Sequence, residues 1–380
     1  MQALTVPFAD LRAQHASLNG AVEAAIRTVL DDSAFIGGIN NPHVLKFETA
    51  FAEYLGGSHC VTCGNGTDAI EMILLALGIG PGDEVIVPAM SWISTAEAVS
   101  NVGATPVFVD TQRDQCAIDV SAIDAACTAA SKAIIVVHLY GRAADMDCVM
   151  AVAEQRGLRV IEDCAQAHGA TFRGRVVGTI GDASSYSFFP SKNLGAIGDA
   201  GAVVTPSAEI ADRVRLIANH GQRKKNEHLM IGRNSRLDGL QAAVLSAKLP
   251  HVARWNAARR AHARVMIDGL QGVGDLSLPS IEADRDHVFH VFAVRTAQRD
   301  ALAAHLKARG IATAIHYPTP MPCSATYAGS AGVRGAYPSA SAQGRELLSL
   351  PLYPEMMERH IDAVVCAVRD FFEGASSLRV

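Results

Sequence analysis

The sequence predicts an α/β fold with a mostly parallel sheet, followed by a smaller α+β unit. Two patterns carry that expectation. From about residue 59, short runs rich in Val and Ile alternate with helical segments and are separated by Gly or Pro turns, as buried parallel strands and their crossover helices require. Near residue 250 the alternation gives way to one long helix and then a mixture of strand and helix. A chain of 380 residues suits one large domain with a smaller companion. Residues 1–250 are expected to hold an N-terminal segment and the large domain, and residues 251–380 the small C-terminal domain.

Taken in order, residues 11–30 and 43–55 carry apolar side chains at helical spacing. "HCVTC" (59–63) reads as a strand and "GTDAIEMILLALG" as the helix after it. "DEVIVPA" leads into the helix "STAEAVSNVG" and the strand "TPVFVD". "KAIIVVHLYG" leads into "ADMDCVMAVAEQRG" and then "LRVIEDCAQAHGA". "GAVVT" (201–205) is a further strand. In the second region, "LPHVARWNAARRAHARVMIDGL" reads as one long helix and "HVFHVFAVR" as an alternating strand. "RDALAAHLKARGIATAIHY" reads as a helix followed by a strand. Internal repeats, heptads and low-complexity tracts are not visible.

Composition excludes several classes. The formal net charge of -5 argues against nucleic acid or an anionic membrane as partner. No window nears the ~20 apolar residues of a membrane span. The opening "MQALTVPFADLRAQ" lacks the basic and apolar regions of a secretory signal, so a cytoplasmic protein is expected. Eight cysteines without regular spacing make no disulfide framework. Cys60 and Cys63 form a C-x-x-C, but no second ligand pair with metal spacing accompanies it, and both read as small buried residues. No metal is expected.

The strand ends carry the chemistry. Asn65-Gly66-Thr67 opens a helix, where N–H groups and a hydroxyl suit a phosphate; an ordinary helix cap explains the same residues taken alone. Asp163 ends a buried strand, where a carboxylate needs a partner, and a structural ion pair would also supply one. Glu162 points to the opposite side, and Gln166 and His168 follow closely. Trp92 follows another strand end, where its ring can stack on a flat ligand or pack in the core. In "SSYSFFPSKNLGAIGDAGAVVT" (184–205), Lys192 stands between an aromatic-proline run and a glycine-rich loop, five residues after Ser187. Together these groups describe a planar, phosphorylated, cationic heterocycle with a carboxylate at its ring nitrogen and a lysine forming a Schiff base. That is pyridoxal phosphate.

In "PFADLRAQ", "CGNGTDAI", "LGIGPGDEVIVPAMSWISTAEAVSNVGATPVFVD", "VVHLYGRAADMD", "VIEDCAQAHGA", "SFFPSKNLGAIGDAGAVVT" and "GRNSRLDGLQAAVLSAKL" the chain resembles the sugar aminotransferases of the DegT/DnrJ/StrS family, over nearly its whole length. The resemblance implies the aspartate-aminotransferase (type I) fold, with a seven-stranded-type sheet in the large domain. It implies that Lys192 is the Schiff-base lysine and the proton carrier, that Asp163 pairs with the pyridinium nitrogen, and that Gln166 faces the ring's phenolic oxygen. Trp92 would stack on the ring, with Gly66, Thr67 and Ser187 on the phosphate. Asn234, in "GRNSRLD", is similar to the family asparagine that reaches the cofactor phosphate of the neighbouring subunit, which implies a homodimer with shared sites. Lysine at 192, where some relatives have histidine and act as dehydratases, implies transamination.

"PSKNLGAIGDAGAVVT" and "NSRLDGLQAAVL" resemble the branch that aminates C3 of a 3-keto sugar linked to dTDP or UDP, with glutamate as the usual donor. Tyr140, His168, His220, Arg236, His316 and Tyr317 are the candidate substrate contacts, and the basic loop 220–228 is a candidate neighbour of the nucleotide diphosphate. Two departures are mild: Ala200 replaces a commoner glycine, and Cys164 an alanine. Amination at C4 or of a cyclitol is the alternative within enzymes. A pyridoxal phosphate-binding regulatory protein without turnover is the alternative outside them. Cys323, in a setting that would suit desulfurase chemistry, is discounted because the surrounding pattern belongs to the sugar enzymes.

Overall fold

Alternation of apolar residues along each central strand feeds two separate cores, one on either face of the sheet. In a computed structural model, which describes residues 4–38 and 40–376, seven strands form that sheet. They are β1 (His59–Cys63), β2 (Glu84–Pro88), β3 (Thr105–Val109), β4 (Ser131–Val137), β5 (Arg159–Asp163), β6 (Ala183–Ser187) and β7 (Gly201–Thr205). Their spatial order is β1-β7-β6-β5-β4-β2-β3. The pairs from β6 through β5, β4 and β2 to β3 are parallel, and β7 runs antiparallel to both β6 and β1. Ile134 and Val136 of β4 face one core with Ile86 and Val160. Ile135 and Val137 face the other with Val85, Val87 and Ile161. Helices cover both faces, which is why the strands read as nearly continuous apolar runs.

A third core gathers Met266, Leu270, Phe292, Leu302, Leu306, Leu348, Leu350, Val364 and Val368. Its long helix, Val252–Leu270, follows the short 3-10 turn Leu249–His251. Val6 belongs to this core and bridges to Ile311, so the N-terminal segment packs on the C-terminal unit.

Three local expectations need correction. Residues 11–30 form two helices, Leu11–Ala16 and Ala21–Asp32, because Asn19 and Gly20 take φ of 49° and 80° and turn the chain. In "HVFHVFAVR" only Phe292–Arg295 is strand. Phe289 has φ of 43°, and residues 288 and 291 donate their N–H groups to Gly141 and Tyr140 instead of a ladder. The expected strand in "GIATAIHY" makes only isolated bridges, since the partner of Phe292–Arg295 is Leu347–Leu350. Among the described residues no helix is long and apolar enough to cross a membrane.

Candidate active site

The carboxyl ends of the parallel strands converge, as the topology of an open α/β sheet requires of a ligand site. At the end of β1, Asn65 caps the helix Gly66–Ala76 by accepting the Asp68 N–H at 2.9 Å. The next two donors, the Gly66 and Thr67 N–H groups, have no acceptor among the described residues. Thr67 Oγ1 donates to Ser94 Oγ at 2.7 Å. A Cβ on Gly66 would lie 2.7 Å from Ser187 Cβ, so only glycine lets the end of β6 approach this turn. Gly201 serves the same end: its Cβ would lie 2.3 Å from the Asn65 carbonyl oxygen. Gly66, Thr67 and Ser187 are thereby brought together at a helix N-terminus, an arrangement that suits an anion.

The adjacent carboxylates that end β5 have opposite surroundings, because successive side chains leave a strand on opposite faces. Glu162 is saturated. Its Oε2 accepts His138 Nε2 at 3.0 Å and the Gly178 N–H at 2.7 Å, and its Oε1 accepts the Ile180 and Gly181 N–H groups at 2.8 and 2.7 Å. His138 Nδ1 accepts the Ala144 N–H, so its proton sits on Nε2. Burial alone would raise the Glu162 carboxyl, but the His138 bond and the loop N–H groups hold it below the usual carboxylate range. With Cys164 this pair has ligand-like spacing, yet its lone pairs are already committed to hydrogen bonds. Its role is to fasten the 178–181 loop beneath the site.

Asp163 faces Thr95 and Lys192 and is 7% exposed. Among the described residues its carboxylate accepts only the Ala165 N–H at 3.1 Å and Thr95 Oγ1 at 3.3 Å. Burial raises its carboxyl, with the Ala165 N–H and the Lys192 charge opposing. Lys192 sits on a turn closed by its own N–H to the Phe189 carbonyl at 2.8 Å. Its ammonium makes no hydrogen bond or ion pair among the described residues. Burial pushes its amine down to about 8 against the pull of Asp163.

On the other side, Gln166 is held at both ends: its Oε1 accepts the Tyr140 N–H at 2.6 Å and its Nε2 donates to the Tyr317 hydroxyl at 3.1 Å. The Tyr140 hydroxyl donates to the His316 carbonyl, and His316 Nδ1 pairs with Ser349 Oγ at 2.8 Å. Burial and the Lys192 charge bring His316 down to about 4, leaving it neutral. Trp92 is 57% exposed, and its ring centroid lies 5.5 Å from that of Tyr317.

The remaining expected residues fall elsewhere. His168 is fully buried between Tyr186 and Phe188. Burial takes its imidazole down to about 3. Packed under the sheet end, it offers no surface to a substrate, and its expected substrate contact is corrected on that ground. His220 and Asn234 are exposed, and Arg236 donates to Asn219 Oδ1 at 3.1 Å. Arg236 borders a cavity of about 710 Å³ with Phe35, Ile36, Lys224 and Lys225. No hydrogen bond or ion pair among the described residues joins these three to Lys192, Asp163 or Gln166. Cys60 and Cys63 are buried, and burial pushes both thiols up, away from the reactive thiolate. Ala200 fits its loop because its backbone lies outside the left-handed region.

Sequence reading missed Ser94 and Thr95, which support Thr67 and Asp163, and it missed Asn193, Asn256 and His290 around the lysine. "SWIST" and "SKN" carried a signal for the first three, as polar residues next to named ones. The last two are contributed from far along the chain.

The residues present fit pyridoxal phosphate. Among the described residues, the Gly66 and Thr67 N–H groups have no acceptor, and Asp163 and the Lys192 amine, though close enough to shift each other, form no ion pair. The N–H groups and the Ser187 hydroxyl suit a phosphate, the carboxylate suits a protonated ring nitrogen, and the exposed Trp92 indole beside Tyr317 suits a flat ring.

Residues 18–369 match the DegT/DnrJ/EryC1/StrS aminotransferase family. The chain is 45% identical over 368 residues to the dTDP-3-amino-3,4,6-trideoxy-alpha-D-glucose transaminase of Streptomyces venezuelae, covering 97% of this chain and 96% of that protein. It is 46% identical over 373 residues to the UDP-N-acetyl-3-dehydro-alpha-D-glucosamine 3-aminotransferase of Acidithiobacillus ferrooxidans, covering 98% and 100%. The crystal structure of S. venezuelae DesV in complex with a ketimine intermediate superposes with a TM-score of 0.94 at 44% identity, covering 97% of this chain and 99% of that one.

Proposed function

The chain belongs to the DegT/DnrJ/EryC1/StrS aminotransferase family, and from that premise we propose that it moves an amino group from glutamate to the C3 ketone of a dTDP- or UDP-linked keto-sugar. It works as a cytoplasmic homodimer with shared sites. The observation that carries this reading is Lys192: a half-buried amine with no hydrogen-bond or ion-pair partner among the described residues, lowered to about 8 by desolvation beside the buried carboxylate of Asp163. The names of the two relatives above, both 3-amino-sugar transaminases, support the C3 position and leave the nucleotide as either dTDP or UDP.

Bound pyridoxal phosphate supplies an electron-withdrawing ring and a carbonyl carbon that carries the amino group between donor and acceptor. The Gly66 and Thr67 N–H groups and the Ser187 hydroxyl hold its phosphate. Asp163 keeps the ring nitrogen protonated, and that proton offsets the cost of burying Asp163 as an anion. Gln166, gripped by Tyr140 and Tyr317, faces the ring's phenolic oxygen. Trp92 stacks on the ring and keeps water off one face. Lys192, whose amine is lowered to about 8, would be the group that accepts and carries the proton of the donor's α-carbon. Tyr140, His316 and Tyr317 border the sugar, while His220, Arg236 and the 220–228 loop serve the nucleotide diphosphate. Asn234 reaches the phosphate in the neighbouring subunit's site.

The test is spectroscopic. Purified protein loaded with pyridoxal phosphate should show a visible absorption band that bleaches with glutamate and returns with a 3-keto nucleotide sugar. Recovery with 4-keto sugars alone would replace C3 by C4. No band after loading would end the aminotransferase reading.

A further inference from the structure

The residue after Lys192 is tied more firmly than the lysine itself. Asn193 is 1% exposed and uses its whole amide. Its Nδ2 donates to Asn256 Oδ1 at 2.8 Å and to the Val288 carbonyl at 3.1 Å, and its Oδ1 meets His290 Nδ1 at 3.0 Å. Both amide protons are spent on carbonyl-type acceptors, so Oδ1 must accept and His290 Nδ1 must carry the proton. Asn256 in turn donates to the His168 carbonyl at 2.7 Å.

The strap that supplies His290 is braced on its far side too. The Val288 N–H donates to the Gly141 carbonyl at 2.9 Å, and the Val291 N–H to the Tyr140 carbonyl at 3.4 Å. Tyr140 is the residue whose N–H holds Gln166. Residues 288–291 thus fasten the lysine's neighbour and the Gln166 support to one segment. A lysine side chain has many rotamers and no fixed fork. Since the amine has no hydrogen-bond or ion-pair partner among the described residues, the backbone on either side of it is what constrains its direction.

We infer that Asn193 and His290 form a positioning pair that aims the Lys192 amine, with His290 acting through Asn193 as a neutral imidazole. The inference rests on the aminotransferase reading, in which Lys192 must meet the cofactor's carbonyl carbon. The groups around His290 are Lys192, Arg259, His316 and His168; burial and those neighbours keep its imidazole well below its ordinary value. A second cation is thereby excluded beside the amine.

The experiment uses full-length protein loaded with pyridoxal phosphate and follows the pH midpoint of the bound cofactor's visible band, with the rate of borohydride trapping at Lys192. Asn193→Ala and His290→Phe should each move the midpoint by about one pH unit and slow trapping about tenfold, with cofactor still bound. His290→Asn, which keeps a donor near the Nδ1 position, should restore most of both. The double variant should be no worse than either single one, as for groups that act as a unit. If Asn193→Ala does not fold, the two His290 variants decide alone. Wild-type midpoint and trapping rate in His290→Phe, with only a lower melting temperature, would make the pair structural and overturn the inference. A wild type without any band would overturn the cofactor reading first, and this one with it.

Discussion

Lys192 and Asp163 lie within electrostatic reach of each other, each moving the other's proton affinity, and no ion pair joins them. Burial drives the amine down to about 8 and the carboxyl up. Direct contact would relieve both groups. Without that contact, the carboxyl stays raised and the amine stays lowered, so both groups lie closer to their neutral forms than they would in water.

Lys192→Ala should therefore lower kcat by about a thousandfold or more, the range of a lost proton carrier combined with a lost covalent anchor. Cofactor should still bind through the phosphate cradle. Gel filtration after loading would show retention, and mass spectrometry after borohydride would show no fixed cofactor. Fixation on another lysine would remove Lys192 from its role.

The same pair predicts a pH-dependent stability in cofactor-free protein. Lys192 titrates near 8 when folded and near ~10.4 when unfolded. Below about 8 the folded state bears the full cost of the desolvated ammonium. Between the two values the unfolded chain binds the extra proton, so stability rises with pH. Lys192→Met removes the cost. It should melt about 2 °C higher than wild type at pH 7, with the gain fading towards pH 10. A gain independent of pH would mean that packing, not charge, is responsible.

Asp163→Asn should keep the fold and bind cofactor, but lower kcat about a hundredfold to a thousandfold, because a neutral amide does not hold a proton on the ring nitrogen. Asp163's raised carboxyl means that the ionised form is a burden in the cofactor-free protein and relieved below its folded value. The amide should accordingly stabilise the empty protein at neutral pH and give no gain once cofactor is bound. Equal stabilisation in both forms would contradict the role given to this carboxylate.

These strand-end groups were legible because the signals are local. "GNGTDA" encodes a cap with spare N–H groups, and "VIED" puts a carboxylate where a buried strand stops. "SFFPSKN" sets a lysine on a turn. The failures are long-range. His290 was read as part of an alternating strand, but Phe289 at φ 43° breaks the period, and tertiary bonds to Tyr140 and Gly141 replace the ladder. His168 is close in sequence to Asp163, yet the turn after β5 sends it beneath the sheet, between two aromatic rings. Proximity in sequence does not say on which side of a strand end the chain will turn.

Gly66→Ala tests the cradle. The new Cβ would lie 2.7 Å from Ser187 Cβ, a backbone-anchored contact that a rotamer change does not relieve, and overpacking of that kind costs about 1–3 kcal/mol. The displaced turn should weaken pyridoxal phosphate binding about tenfold or more, with a smaller effect on pyridoxal, which has no phosphate. Fluorescence titration of both ligands would measure the difference. Equal losses would show a general fold defect instead of a phosphate site.

Sharing of sites between subunits can be tested by complementation. Asn234 is exposed, and no hydrogen bond or ion pair among the described residues ties it to its own chain's Lys192. If it serves the neighbouring subunit, Lys192→Ala and Asn234→Ala homodimers should both be impaired, each for a different missing group. In a mixed dimer one site lacks both groups and the other has both. Unfolding and refolding an equal mixture should then recover about a quarter of wild-type turnover, since half the dimers are mixed and half their sites are intact. Mixing without refolding should recover it only as fast as subunits exchange. A mixture no more active than the average of its parents would mean that Asn234 acts within its own chain, or that each site is built from one subunit.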